Sequence, residues 1–301
     1  SGPILRYDNF IQQWNNREIT TDRIANGLRR FIYGLAKKVI LANQLALIVN
    51  YCHSNIPNLG FFLAWAGAIC YTLQIYFDFS GYSDMALGIS NMLGFTFPEN
   101  FNFPYMSNTV QEFWRRWHIS LSHWFRDYVY IPLGGNRVST LRWFLNIFVV
   151  WFLTGLWHGA SMNFICWGLY YGCWLVIEKY GNKYLNKIPK LLRTFIVFII
   201  VTIGWILFRA SDLTSALMYI KELVNFRVRP NLLKLKLLDI LYLYPIIGIS
   251  LLGCTPLFKN IYDKLNEKMG IINDLILVIL LLLSIMIIIN STYSPFIYFN
   301  F

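Results

Sequence analysis

Charged residues vanish from this chain for long stretches, and the longest of these runs from Val39 to Phe77 without one Asp, Glu, Lys or Arg. A single membrane-crossing helix needs only about 20 apolar residues, so this stretch holds more than one. Pro57, with Asn55, Asn58 and Gly60 around it, marks the turn between them. The pattern therefore predicts one span ending near Tyr51 and a second from about Phe61 to Leu93. A basic amphipathic stretch containing Arg29, Arg30, Lys37 and Lys38 leads into the first. Trp143 to Trp157, Ala160 to Ile177, Leu192 to Phe208, Leu237 to Cys254 and Ile271 to Ile289 each have the length and apolarity of a transmembrane helix or most of one. The expectation is an all-α, polytopic membrane protein of about seven spans. Three basic connectors, Lys179 to Arg193, Lys221 to Lys236 and Lys259 to Lys268, fall on both sides of the bilayer if every span crosses, so the positive-inside rule does not fix the orientation.

Composition sharpens this picture. The 301 residues are 56% hydrophobic and only 14% charged, against roughly a quarter charged in soluble domains, and the mean hydropathy is +0.47. A water-soluble globule and a disordered chain are both excluded. Cys52, Cys70, Cys166, Cys173 and Cys254 are scattered without a CxxC pair or ligand spacing, which excludes a disulfide scaffold and reads as packing. The net charge of +11 would suggest nucleic acid in a soluble protein. Here the basic residues lie between apolar spans, where anionic headgroups of the lipid bilayer are the expected partner and nucleic acid is not. The chain opens at Ser1-Gly2-Pro3 in a loop reaching Asp22, as expected for a segment of a longer protein, and no repeat or composition shift divides residues 1–301 into two domains.

Candidate chemistry concentrates in Asn108 to Asn136, which carries charge and aromatic residues between apolar spans. Trp114, Trp117, Leu121 and Trp124 recur at helical spacing and predict one amphipathic helix over Gln111 to Trp124. Glu112 can pair with Arg115 and Arg116 on its other face. Two readings stand for this helix: an interfacial anchor, or a re-entrant element carrying His118 into the protein. His123 points to a different face and reads as structural. His158, in Thr154-Gly155-Leu156-Trp157-His158-Gly159, lies in a stretch with no charged residue from Trp143 to Ile177. An ionisable residue there is costly unless it functions. As a neutral imidazole it can accept a proton, and helix packing through a backbone carbonyl is the alternative. Asp78 and Asp84 read as partners that hold helices in register, or as groups orienting a catalytic residue. No phosphate-loop, HExxH, GxSxG or GxGxxG motif occurs. Pro132 to Arg137 is a Gly-Gly turn whose amides can meet a phosphate or simply close a loop.

Five blocks, Gln74 to Asp84 (QIYFDFSGYSD), Phe97 to Pro104 (FPENFNFP), Glu112 to Ser122 (EFWRRWHISLS), Phe125 to Arg137 (FRDYVYIPLGGNR) and Thr154 to Gly159 (TGLWHG), resemble the membrane-bound O-acyltransferase family, in the order the family shows them. The likeness is strongest to its bacterial alginate O-acetylation branch, and extends from the opening SGPILRY to the closing Ser294 to Phe301. The resemblance implies a ring of tilted helices around a central pore with re-entrant helices, and a catalytic histidine at His158 with a second at His118. It further implies acetyl-CoA or another acyl thioester as donor substrate, a secreted or membrane-anchored acetyltransferase as partner, and a polysaccharide acceptor such as alginate or peptidoglycan. Localisation follows as the cytoplasmic (inner) membrane. Arg115, Arg116 and Arg126, from their charge, are candidates to attract the donor's phosphates or to form ion pairs. Trp117, Trp157 and Asp78 complete the candidate substrate contacts. Transfer of D-alanine, a carrier with a histidine proton relay, and a scaffolding subunit are the rival readings.

Overall fold

The computed structural model describes residues 2–226, 237–268, 270–290 and 296, with side chains described outside 237–242 and 266–268. The connector Lys221 to Lys236 lies outside the described residues from 227 onward, as does the closing Ser294 to Phe301 block apart from Phe296. Among the described residues all regular structure is helical. A surface helix α1 (Tyr7–Asn16) precedes α2 (Thr21–Ala36), whose start is capped by Thr20 Oγ1 accepting from Arg23 N at 3.3 Å. α2 does not end where the basic stretch was expected to give way to a span. It passes through a wider π-helical segment, Lys37–Ala42, into α3 (Asn43–Ser54), making one rod from Thr21 to Ser54. The turn predicted at Pro57 is present as a short 3-10 turn, Ile56–Asn58.

α4 (Gly60–Met92) is the centre of the fold. Its 33 residues run roughly 50 Å at 1.5 Å per residue. It is apolar all round, as a helix surrounded by others must be, and residues 70–81 along it are all buried. α2 packs against it by backbone contact: a Cβ on Gly27 would stand 2.5 Å from the Gly88 carbonyl oxygen, and one on Gly34 2.6 Å from that of Gly81. Glycine here removes the side chains that would hold two helices apart.

The remaining helices are α5 (Val110–Arg116), α6 (Ile119–Phe125), α7 (Thr140–His158), α8 (Met162–Leu185), α9 (Lys190–Arg209), α10 (Leu213–Glu222), α11 (Leu237–Gly253), α12 (Leu257–Lys268) and α13 (Gly270–Asn290). α9 meets α4 through Thr72 Oγ1 and Thr202 Oγ1, 3.1 Å apart. α10 closes the end of α4, with Glu222 accepting from Gly60 N at 2.7 Å. Among the described residues, five helical stretches are long and apolar enough to cross a membrane, namely Thr21–Ser54, Gly60–Met92, Thr140–His158, Lys190–Arg209 and Gly270–Asn290. The two other predicted spans fall on α8 and α11. α8 is long enough at 24 residues but carries more polar positions, and the strongly apolar part of α11 is the shorter Leu243–Gly253. Large apolar side chains face outward along α13, among them Ile271 at 80% exposure and Ile289 at 76%, as lipid-facing residues do.

The basic residues before the first span correct a sequence expectation. They are not all headgroup anchors: Lys38 is buried and forms an ion pair with buried Asp78, while Lys37 and Arg30 bind Asp84 at 2.6 and 2.9 Å. The rod continues through these positions, so their side chains turn inward to α4. Asp78 and Asp84 thus join helices, as one of their two readings held. Cys52, Cys70 and Cys254 are buried, and all five cysteines are free thiols.

Candidate active site

The predicted helix over Gln111 to Trp124 is two helices. α5 ends at Arg116, Trp117 is extended, and His118 adopts the left-handed conformation (φ 44°, ψ 54°) before α6 begins. Only Phe103 shares positive φ among the described non-glycine residues. Such a conformation costs an L-residue roughly 1–2 kcal/mol, and here its surroundings impose it. The N–H of Trp117 still closes the last turn of α5 on Phe113 O at 2.8 Å, while Ser122 N bonds His118 O at 3.1 Å to start α6. On one side of the break, Asn102 N donates to Arg116 O, and on the other Ile119 N donates to Asn100 O, both at 3.0 Å. Periodicity missed the break because Trp117 and Leu121 are both buried, as an unbroken stripe would also leave them. Trp124, at the stripe's far end, is 41% exposed.

α5 is placed by charges at its start. Thr109 Oγ1 accepts from Glu112 N at 2.9 Å, and Glu112 reaches back to Asn108 N at 2.8 Å, a variant of the capping box. Glu178 of α8 accepts from Val110 N and, at 3.0 Å, from Gln111 N. Glu112 also binds Arg116 at 2.7 Å, so of the two arginines Arg116 is committed to its own helix and Arg115 is exposed. Arg126 is half exposed and bound to Asp127, which also pairs with Arg6. Neither Arg115 nor Arg126 is drawn toward the histidines by any described ion pair.

Trp117 is buried inside an aromatic cluster, with ring centres 4.8 Å from Trp205, 5.0 Å from Phe101 and 5.6 Å from Phe113. This cluster fixes the residue before His118. His118 itself is buried, edge-to-face with Phe79 of α4 at 4.8 Å. His158 closes α7, and Gly159 (φ 148°) turns the chain away at once. Its ring is surrounded by Trp157 at 4.9 Å, Trp167 at 4.9 Å and Phe208 at 5.1 Å, all nearly perpendicular to it. Gly155 lets α8 approach: a Cβ there would lie 2.5 Å from Phe164 O. Asn163 then ties α8 to the end of α9, donating to Ala210 O at 2.8 Å.

The fold therefore brings both His118 and His158 against one ring, that of Trp157. Trp157, 46% exposed, has its ring centre 6.1 Å from that of His118 and 4.9 Å from that of His158. Two buried imidazoles with an aromatic lining can bind, hold and pass a proton in a place where water competes poorly. Asp78, on α4 next to the Phe79 that meets His118, is paired with Lys38. His123 is exposed on α6, and partial burial with the charges of Arg126 and Arg6 holds it below the ordinary histidine range. Sequence reasoning missed Asn100, Ser120, Phe79, Trp167 and Phe208. Asn100 falls within the Phe97 to Pro104 block, but no spacing links a loop asparagine to a histidine 18 residues on.

The sequence that builds this geometry is shared with known proteins. Residues 1–226 match the model of the MBOAT, membrane-bound O-acyltransferase family. The chain is 47% identical over 228 residues to the probable alginate O-acetylase AlgI of Pseudomonas aeruginosa, an alignment covering 75% of this chain and 44% of that protein. It is 38% identical over 328 residues to the probable alginate O-acetylase AlgI of Pseudomonas putida, covering 100% of this chain and 66% of the relative. The peptidoglycan O-acetyltransferase of Helicobacter pylori is 35% identical over 330 residues, covering 100% and 62%. The chain thus spans about 44% of the length of the P. aeruginosa relative it matches. With the family model covering three quarters of its length, this chain belongs to the membrane-bound O-acyltransferase family.

Proposed function

We propose that this chain carries the transfer centre of an O-acetyltransferase of the inner membrane. It moves an acetyl group from a cytoplasmic thioester, acetyl-CoA, to a hydroxyl of a cell-surface or secreted polysaccharide. The observation that carries this reading is that two buried histidines, His118 and His158, both pack against Trp157, in an aromatic setting beside membrane-length helices. Family membership and similarity to proteins named for alginate and peptidoglycan O-acetylation support acetyl as the group and a glycan as the acceptor.

His158 takes the proton of the acceptor hydroxyl as its oxygen attacks the thioester carbonyl carbon. The carbon–sulfur bond breaks with its electron pair on sulfur, and the proton returns to the thiolate. His118 positions the donor or polarises its carbonyl. Arg115 and Arg126 are exposed charges that attract the donor's phosphates, with Arg116, held by Glu112, beside them; Trp157 lines the path, while buried Trp117 and the Lys38-paired Asp78 support the elements that form it. In this reading residues 1–301 form one domain, part of a ring of tilted helices around a pore, and a secreted or membrane-anchored acetyltransferase works beside it on the outer face. The test is base-released acetate from separated glycan fractions in cells making the protein with and without His158→Ala. Acetate falling in one fraction at unchanged protein level supports the reading and names the acceptor. Unchanged acetate in every fraction refutes the catalytic assignment.

A further inference from the structure

Asn100 is fully buried in the segment between α4 and α5, and its neighbours fix which way its amide points. Its Oδ1 accepts from Ser120 N at 3.1 Å and from Ser120 Oγ at 2.8 Å, while its Nδ2 donates to Ser83 Oγ of α4 at 3.2 Å. A backbone N–H only donates, so the atom facing Ser120 is the oxygen. His118 Nδ1 lies 3.2 Å from that same oxygen. An amide oxygen has no proton to give. In the neutral ring, Nδ1 therefore carries the proton and Nε2 carries the lone pair. The main chain reinforces the clamp, since Asn100 O accepts from Ile119 N at 3.0 Å.

We infer that Asn100 is a positioning residue that locks His118 in its Nδ1–H tautomer, so that Nε2 meets a hydrogen-bond donor of the substrate and not the thioester carbonyl. The inference rests on the acetyltransferase reading and refines it. Of the two roles open to His118, polarising a carbonyl needs an N–H at Nε2, and the clamp supplies a lone pair there. The donor it meets is an O–H or N–H, offered by the acceptor's sugar hydroxyls or by the amides of the thioester's arm. A left-handed His118 fits this role: the strained backbone points the ring back to the loop that orients it, as orienting groups do for histidines in other active sites.

The start of the chain lies against the His118 ring, a Cβ on Gly2 standing 3.1 Å from Cε1, and the terminal ammonium is one of the two charges His118 meets in every variant. His158 approaches from α7. On α4, Asp78 is held by Lys38, and Asp84 by Arg30 and Lys37. Arg116 of α5 is held by Glu112, and His123 of α6 is exposed. A carboxylate introduced at position 100 is then the nearest new charge His118 meets.

Two measurements test the inference. In detergent-purified protein labelled with 15N-histidine, with His118 assigned through His118→Gln, the His118 resonances at pH 8 are expected to be those of the Nδ1–H tautomer, and a mixture in Asn100→Leu. An Nε2–H tautomer in the unsubstituted protein overturns the inference. In acetate release, Asn100→Asp keeps every acceptance at Oδ1 yet stabilises the imidazolium. Its acid limb is expected to move up by about one pH unit or more, since an opposite charge this close shifts a titration by about 1–3 units. If Asn100→Asp has the pH profile of the unsubstituted protein, or exceeds its activity, the inference falls, because the working form would then be indifferent to the clamp or be the imidazolium. The KM for acetyl-CoA separates the two donors: it rises at least tenfold in Asn100→Leu if Nε2 holds the thioester arm, and stays within twofold with a lower kcat if it holds the sugar. The tautomer measurement needs no turnover. Silent His158→Ala with an Nδ1–H His118 would therefore refute the transferase reading and leave the Asn100 clamp standing.

Discussion

Removing Lys38 is expected to unfold more of the protein than removing both Lys38 and Asp78. The two side chains are 7% and 1% exposed and form an ion pair between the π-helical segment and α4. Lys38→Met leaves the Asp78 carboxylate buried without its ammonium, and breaking a buried pair by deleting one partner costs about 3–5 kcal/mol. At about 1.4 kcal/mol per factor of ten, that shifts the folded-to-unfolded ratio between about a hundredfold and a few thousandfold. Replacing both, as Lys38→Met with Asp78→Leu, removes both charges together, and such apolar replacements are often neutral. The assay is the fraction of protein remaining monodisperse in detergent after heating, read by size exclusion for the two single variants and the double. Singles as stable as the parent, or a double no better than the singles, would refute the assignment of this pair to helix registry. Acetate release from the double variant then separates two roles for Asp78. Retained transfer leaves Asp78 a structural residue, whereas a stable but inactive double variant places it in contact with substrate.

Glu178→Gln is expected to remove the charge and one of two hydrogen bonds at the start of α5, about 1.5–3 kcal/mol for a bond to a charged group; acetate release should fall with little loss of protein, because α5 leads directly into Trp117 and His118. Gly168→Ala should abolish accumulation of folded protein, because its Cβ would stand 2.2 Å from the backbone oxygen of Trp151. Gly181→Ala on the same helix meets only Leu185, at 3.8 Å, and should be neutral or stabilising by about 0.5–1 kcal/mol in the same heating assay. His123→Ala, on an exposed face of α6, should leave acetate release unchanged.

The helical architecture was legible because apolar runs and their interruptions follow directly from bilayer thickness. The Pro57 turn and the long α4 fell where hydropathy put them. Two features were not legible. The lysines at 37 and 38 look like headgroup anchors until the partner carboxylates, some 40 residues away, are seen beside them. The break at His118 is invisible to a helical stripe, because the residues on either side are buried with or without it. His158 stood out as a costly residue in apolar surroundings and His118 through its place in the Glu112 to Ser122 block, but that both reach Trp157 depends on how α5 docks on α8. Glu178 takes part in that docking, and no local pattern connects it to residue 110.

His118 and His158 are held by different elements of one packed core. The cradle of His118 is made by α4 and the loop after it, through Ser83 and Asn100. The box around His158 is made by α7, α8 and α9, through Trp157, Trp167 and Phe208. Synthesis proceeds from the N-terminus, so Ser83 and Asn100, which cradle His118, are made well before the helices that box His158. The two histidines come to share Trp157 only when the later helices pack against the earlier ones. A chain stalled before α7 therefore carries the cradle of the first histidine and lacks the second.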